Sequence, residues 1–141
     1  MIYTQDKWSV GHFVQNDAPM IVRARETLPT KADRETHGHL VLIKWPYTAG
    51  VNGMPNADDA KRMQELERTL EANIEAHEVG IHALSLTGNG SREWRYYTHD
   101  PQKFMEALNR GLQGQEKFPI DLELLQDTEW LALAEFIGYQ T

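Results

Sequence analysis

The strongest alternation of apolar and other positions lies at residues 38–47. There Val41, Ile43, Trp45 and Tyr47 fall on one face of an extended strand. Leu40 and Leu42 make the opposite face apolar too, which marks a central strand covered on both sides. Residues 57–77 change to a three-to-four period, with Ala60, Met63, Leu66, Leu70 and Ile74 forming the stripe of a long helix. Asn56 offers its N-cap oxygen, Asp58 and Asp59 suit its first turn, and Glu67, Glu71 and Glu75 are expected on its outer side.

Residues 79–86 and 92–98 read as two strands, joined through Gly88-Asn89-Gly90, which supplies the positive-φ residues of a tight hairpin. Asp100-Pro101 then caps and opens a second helix with Phe104, Leu108 and Leu112 on its stripe, ended by Gly111 and Gly114. Phe118, Ile120, Leu122 and Leu124 alternate with Pro119, Asp121 and Glu123, predicting a half-buried strand whose carboxylates point away from the core. Asp127 can cap a last helix in which Trp130, Leu133, Ala134 and Ile137 share one side.

Before all this, residues 8–15 alternate through Trp8, Val10, His12 and Val14, and residues 20–26 form another β-prone run. Asn16-Asp17-Ala18-Pro19 separates the two as a turn, so an N-terminal hairpin is expected. Residues 27–36 are polar, contain Pro29 and have no period, and read as a loop.

From residue 38 the order is strand, helix, two strands, helix, strand, a ferredoxin-like β-α-β-β-α-β arrangement of the α+β class with an N-terminal hairpin and a short C-terminal helix. Right-handed crossovers put strands 40–47 and 92–98 in the middle, with 79–86 and 118–124 outside, and both long helices on one face. Leu40 and Leu42 then require a cover for the second face, since a bare leucine forfeits about 1.5–3 kcal/mol of burial. The hairpin, the last helix or a second subunit could supply it.

The 141 residues suit a single domain, 1–141, divided into hairpin and loop (1–37), core (38–125) and final helix (126–141). No stretch approaches the run of roughly 20 apolar residues needed to cross a bilayer, and the first residues lack the basic-then-apolar pattern of a signal peptide. The chain contains no cysteine, which fits a reducing cytoplasmic setting. A net charge of −7 opposes nucleic acid and anionic membranes as partners and would steer a basic protein segment favourably.

Gly53-Met54-Pro55, Leu86-Thr87-Gly88 with Gly90, Arg92-Glu93-Trp94-Arg95-Tyr96-Tyr97, Phe104, Leu108-Asn109, Phe118-Pro119-Ile120 and Asp127 with Trp130 together form an ordered pattern. Over about residues 38–131 the chain resembles the domain of unknown function 695 family. The resemblance implies a bacterial-type α+β domain without an assigned activity, and a fold-level kinship to the regulator B of ribonuclease E activity. Such kinship favours a regulator that binds protein and leaves catalysis undecided.

The densest chemistry is at residues 92–97. Arg92, Trp94 and Tyr96 should share one face and Glu93, Arg95 and Tyr97 the other, with one of these faces outward to recognise a partner's charged groups. The plainer reading is aromatic packing with cross-strand pairing to Asp121 or Glu123. Asp127 and Trp130 could form a lip of the same surface, or simply an N-cap and a core anchor. His37 and His39 have the spacing for one metal but lack an evident third ligand, so no metal and no cofactor are assigned. Gly88-Asn89-Gly90-Ser91 lacks the lysine and helix of a phosphate loop, and no serine sits in a nucleophile elbow.

No catalytic set is complete. The first expectation is a non-catalytic module that binds a protein partner, or a second copy of itself, through Arg92, Glu93, Trp94, Arg95, Tyr97, Asp127 and Trp130 on the sheet face, or through the acidic side of the long helix. The alternative is a small enzyme or ligand-binding domain using Glu93, Asp127 and a histidine above a floor of Trp94 and Tyr97.

Overall fold

The structure is a computed structural model and describes residues 2–137. Its centre is one six-stranded antiparallel sheet, in the spatial order β1-β2-β4-β5-β3-β6. The strands are β1 (Trp8–Gln15), β2 (Ala18–Arg25), β3 (His39–Pro46), β4 (Ile81–Gly88), β5 (Ser91–Thr98) and β6 (Asp121–Gln126). The helices are α1 (Lys31–Thr36), α2 (Ala57–Leu70), α3 (Pro101–Leu112) and α4 (Leu131–Ala134). β3 and β5 lie side by side, with β4 next to β5 and β6 next to β3. The N-terminal hairpin extends the sheet past β4, through pairing of β2 with β4.

Local chemistry accounts for the connections. Asn16 and Asp17 both take positive φ, 51° and 62°, and make a two-residue turn, so β2 begins earlier than its apolar run suggests. Asn89 and Gly90 do the same between β4 and β5. The side chain of Asn56 accepts from the Asp59 amide and starts α2, as Asp100 does from Lys103 for α3.

Two expectations about the connections change. Residues 31–36, read as loop, form α1, started by a bond from the Asp33 amide to the Thr30 hydroxyl. No residue of α1 is buried, so the helix leaves no apolar period to detect. The long helix does not continue as one α-helix to His77: α2 passes into a π turn, Glu71–Glu75, closed by the Ala76 amide donating to the Glu71 carbonyl.

The sheet separates two cores. On one face α2, its π turn and α3 bury Met63, Leu66, Leu70, Ile74, Phe104 and Leu108 against Val41, Ile43, Trp45, Trp94 and Tyr96, with Ile120 packed at the margin of the same cluster. On the other, Trp130 and Leu133 of the C-terminal segment cover Leu40, Leu84 and Tyr97, with Met20, Val22 and Ala24 of β2 alongside. The required cover for Leu40 and Leu42 is therefore the C-terminal segment, while the hairpin lies in the plane of the sheet and widens it. Residues 138–141, part of the expected final helix, lie outside the described residues. Among those described, no helix is long and apolar enough to cross a membrane.

Candidate functional site

β5 carries the residues expected to bind, and the two cores divide them. Trp94 and Tyr96 are buried beneath α2 and α3, and Tyr97 is fully buried under the C-terminal segment. Neither face of β5 is turned to solvent, because both faces of a central strand are covered here. Arg92 donates to Glu67 of α2 at 3.1 Å and to Thr87 at 2.8 Å. On the opposite face Arg95 donates to Glu93 at 2.9 Å, to the Ala132 carbonyl at 2.7 Å and to Glu135 at 3.2 Å. These arginines do not meet Asp121 or Glu123. Instead they tie each covering layer to the sheet.

Asp127 accepts from the amides of Leu131 and Ala132 at 2.9 and 3.0 Å and from the Tyr97 hydroxyl at 2.7 Å. Trp130 is fully buried and donates its indole N–H to the His37 carbonyl at 3.0 Å. Both residues hold the C-terminal segment down and form no lip on the surface. Trp94 and Tyr97 are separated by an odd number of positions along one strand, so they project to opposite faces and cannot floor one pocket. His37 packs edge-on against His99, ring centroids 5.3 Å apart. Among the described residues no group of three or more His, Cys, Asp or Glu is placed to hold a metal ion.

Sequence reasoning passed over a cluster on the helix side of the hairpin. In β1 and β2, Trp8 stands opposite Arg25 and Val10 opposite Arg23, so that Met20, Val22 and Ala24 face the second core while Arg23 and Arg25 face the side of α2. The guanidinium groups of Arg23 and Arg25 lie 4.0 and 4.2 Å from the Trp8 ring centroid. Arg25 also donates to Asp6 at 3.0 Å and to the His82 carbonyl at 3.1 Å. His82 stacks on Tyr96 at 4.8 Å, and its Nε2 has no hydrogen-bond partner. The Tyr96 hydroxyl donates to Glu75 at 2.9 Å.

Burial sets the proton positions in this cluster. It lowers His82 to about 3, helped by the positive charges of Arg23 and Arg25, so the ring is neutral at ordinary pH. It raises the Glu75 carboxyl, against the opposing bond from Tyr96, and it raises Glu67 against the attraction of Arg92. Two of the three glutamates expected on the outside of the long helix are thus turned partly inward, and the widened π turn carries Glu75 to Tyr96. The alternation of Ile21, Arg23 and Arg25 was the available signal for this face.

Around this cluster a cleft of about 550 Å³ opens between residues 2–6, Arg25, Glu75, Glu78 and the start of β4. A second, about 310 Å³, lies between α2 and the hairpin, with Arg23, Arg92, Glu67 and Glu71 on its walls.

At the far end of the sheet β6 differs from every other strand, since all six of its residues are exposed. Leu122 and Leu124 lie opposite Ile43 and Val41, on the side expected to be buried. They remain 41% and 53% exposed, and Leu125, on the other face, 43%. Burial stops at Phe118 and Ile120, which enter the core before the strand begins.

No curated protein and no solved structure matches the chain. The profile of a family of unknown function, DUF695, matches residues 6–137, a span that takes in the hairpin, all six strands and the C-terminal cover. The chain belongs to this family of unknown function, DUF695.

Proposed function

We propose that the protein is a non-catalytic protein-binding module that receives an extended segment of a partner along the outer edge of β6. One observation carries this reading: an outermost strand, exposed at all six residues, that holds Leu122, Leu124 and Leu125 partly bare on its two faces. Among the described residues no strand pairs with its outer side. A bare strand edge offers a row of backbone donors and acceptors, and proteins usually guard such an edge with lysine, proline or a bulge. β6 has none of these guards, and covering the exposed half of each leucine is worth about 1 kcal/mol apiece. Strand addition uses these two features together.

Charge selects the occupant. β6 carries Asp121 and Glu123 and no basic residue, on a chain of net charge −7. A second copy would bring its own net charge of −7 and two more strand carboxylates to this edge, whereas a segment alternating apolar with Lys or Arg would satisfy both the leucines and the acids. We read the block β4-β5-β3-β6 with α2 and α3 as ferredoxin-like, an interpretation supported by the adjacency of those strands, and the kinship with regulator B as consistent with action through contact. A cysteine-free acidic chain suits the cytoplasm.

The test is a photo-crosslinking residue at position 124 of the full chain, followed by synthesis of the cross-linked partner peptide. The reading is supported if that peptide is an extended basic-apolar segment that binds the wild type and not Leu124→Lys. Cross-links only to a second copy, or equal binding by the variant, would overturn it.

A further inference from the structure

The cleft beside His82 has a chemistry of its own, independent of β6. Among the described lining residues its one cation, Arg25, is already committed. The guanidinium bonds Asp6 and the His82 carbonyl and lies over the rings of Tyr3 and Trp8, 4.6 and 4.2 Å from their centroids. Asp6 is committed as well, since it also accepts from the Trp8 indole at 2.6 Å. Of the remaining polar side chains on the walls, Glu75 and Glu78 can only accept hydrogen bonds, while the exposed Thr4 and Gln5 can also donate. Glu75 gives one oxygen to Tyr96 and keeps the other, Glu78 stands exposed at the rim, and the unpartnered Nε2 belongs to a ring that is 7% exposed. Burial and the positive charges of Arg23 and Arg25 keep that ring neutral against the opposing backbone bond with Leu84, and that bond leaves Nε2 as the acceptor. Tyr3 and Ile81 add flat apolar surface.

We infer that this cleft binds a small planar organic cation, an amidinium, guanidinium or aryl-ammonium group, held by Glu75 and Glu78, with its flat body against Tyr3 and Ile81. His82 forms part of the inner wall, its unpartnered Nε2 buried within it. A volume of about 550 Å³ lies within the usual range for small-molecule sites. The π turn supports the assignment, because such turns recur where a helix must present a side chain to a site, and this one brings Glu75 inward. Among the described lining residues the carboxylates of Asp6, Glu75 and Glu78 outnumber the single guanidinium of Arg25, which disfavours an anion.

Titration of the full-length protein with benzamidine, followed by amide chemical shifts, tests this directly. Saturable shifts at Tyr3, Arg25, Ile81 and His82 are expected, with the isosteric benzoate causing none and neutral benzamide binding at least tenfold more weakly. Glu75→Gln retains an acceptor for Tyr96, and Glu78→Gln alters only the rim, so both variants should fold, and each should weaken benzamidine at least tenfold. N-acetylarginine amide, as a further arm, separates the two sources of such a group: tighter binding of benzamidine assigns the cleft to free small molecules, and the reverse to an arginine of a peptide. Absence of saturable shifts at these residues, equal binding of benzoate, or unchanged affinity in both variants overturns the inference.

Discussion

The indole of Trp130 lies flat on the phenol of Tyr97, ring centroids 3.9 Å apart and 5° from parallel, a stack that links the C-terminal segment to the middle of the sheet. Both rings are fully buried. Trp130→Ala should therefore cost about 3–5 kcal/mol, the usual loss for removing a large buried aromatic side chain. Trp130→Phe keeps a ring over Tyr97 and loses the bond to the His37 carbonyl, at about 1 kcal/mol. Urea unfolding of the two variants checks the pair, and a Trp130→Ala loss below about 1 kcal/mol contradicts the stack's role.

Asp127 joins the same contact from below, because one carboxylate serves the Tyr97 hydroxyl and two amides at the start of α4. Loss of the cap costs about 1 kcal/mol and the unpaired buried hydroxyl about 1–3 more, so Asp127→Ala should destabilise by about 2–4 kcal/mol. In the Tyr97→Phe background the Asp127→Ala cost should shrink toward that of the cap alone. A double-mutant cycle in equilibrium unfolding measures the difference, and additive losses would show that the two residues act independently.

His82 predicts a pH dependence with a definite sign. The folded ring titrates at about 3 and a free histidine near 6.5, so between these values the unfolded chain binds the extra proton and acid destabilises the fold. The loss approaches about 1.4 kcal/mol per pH unit below 6.5. Glu67 and Glu75 act the other way just above the ordinary carboxylate range, because burial raises both and the folded state takes up their protons first. The His82 contribution is therefore read as the stability difference between wild type and His82→Phe at pH 7 and pH 5. The wild type should lose ground to the variant as the pH falls, and a constant difference would mean that the ring is not held neutral.

Leu124→Lys separates binding from folding. Leu124 is 53% exposed, so its replacement should change stability by no more than about 0.5 kcal/mol. Association with a basic-apolar partner peptide should fall at least tenfold, measured by calorimetry. A variant that unfolds at much lower urea would place Leu124 in the core after all.

The chain's periodicities made most elements readable, and the exceptions share a cause. α1 buries nothing, so it had no stripe. Glu75 follows Glu71 by four, a spacing that reads as a solvated face, yet a π turn widens the helix there and redirects it. Leu122 and Leu124 have the alternation of buried positions and the correct side of the sheet, but alternation records which side a residue faces and not whether anything covers that side. The residues chosen at 92–97 were rich in chemistry because a doubly covered central strand needs large aromatics and needs arginines to pin its covers. The cluster of Arg25, His82 and Glu75 draws on three separate segments, and no local pattern brings them together.

By itself the amino-acid sequence determined the starts of α2 and α3 with their caps, the two hairpins with their turns, and the two-sided apolar character of residues 40–47. These depend on interactions between near neighbours, and neighbours are visible in the order of residues. Only the tertiary structure decided that Trp130 covers Leu40, that the hairpin widens the sheet past β4, that Glu75 meets Tyr96 and that β6 stays bare. Each of these turns on which distant segments come into contact and on where a covering layer ends, and that follows from the packing of the whole chain.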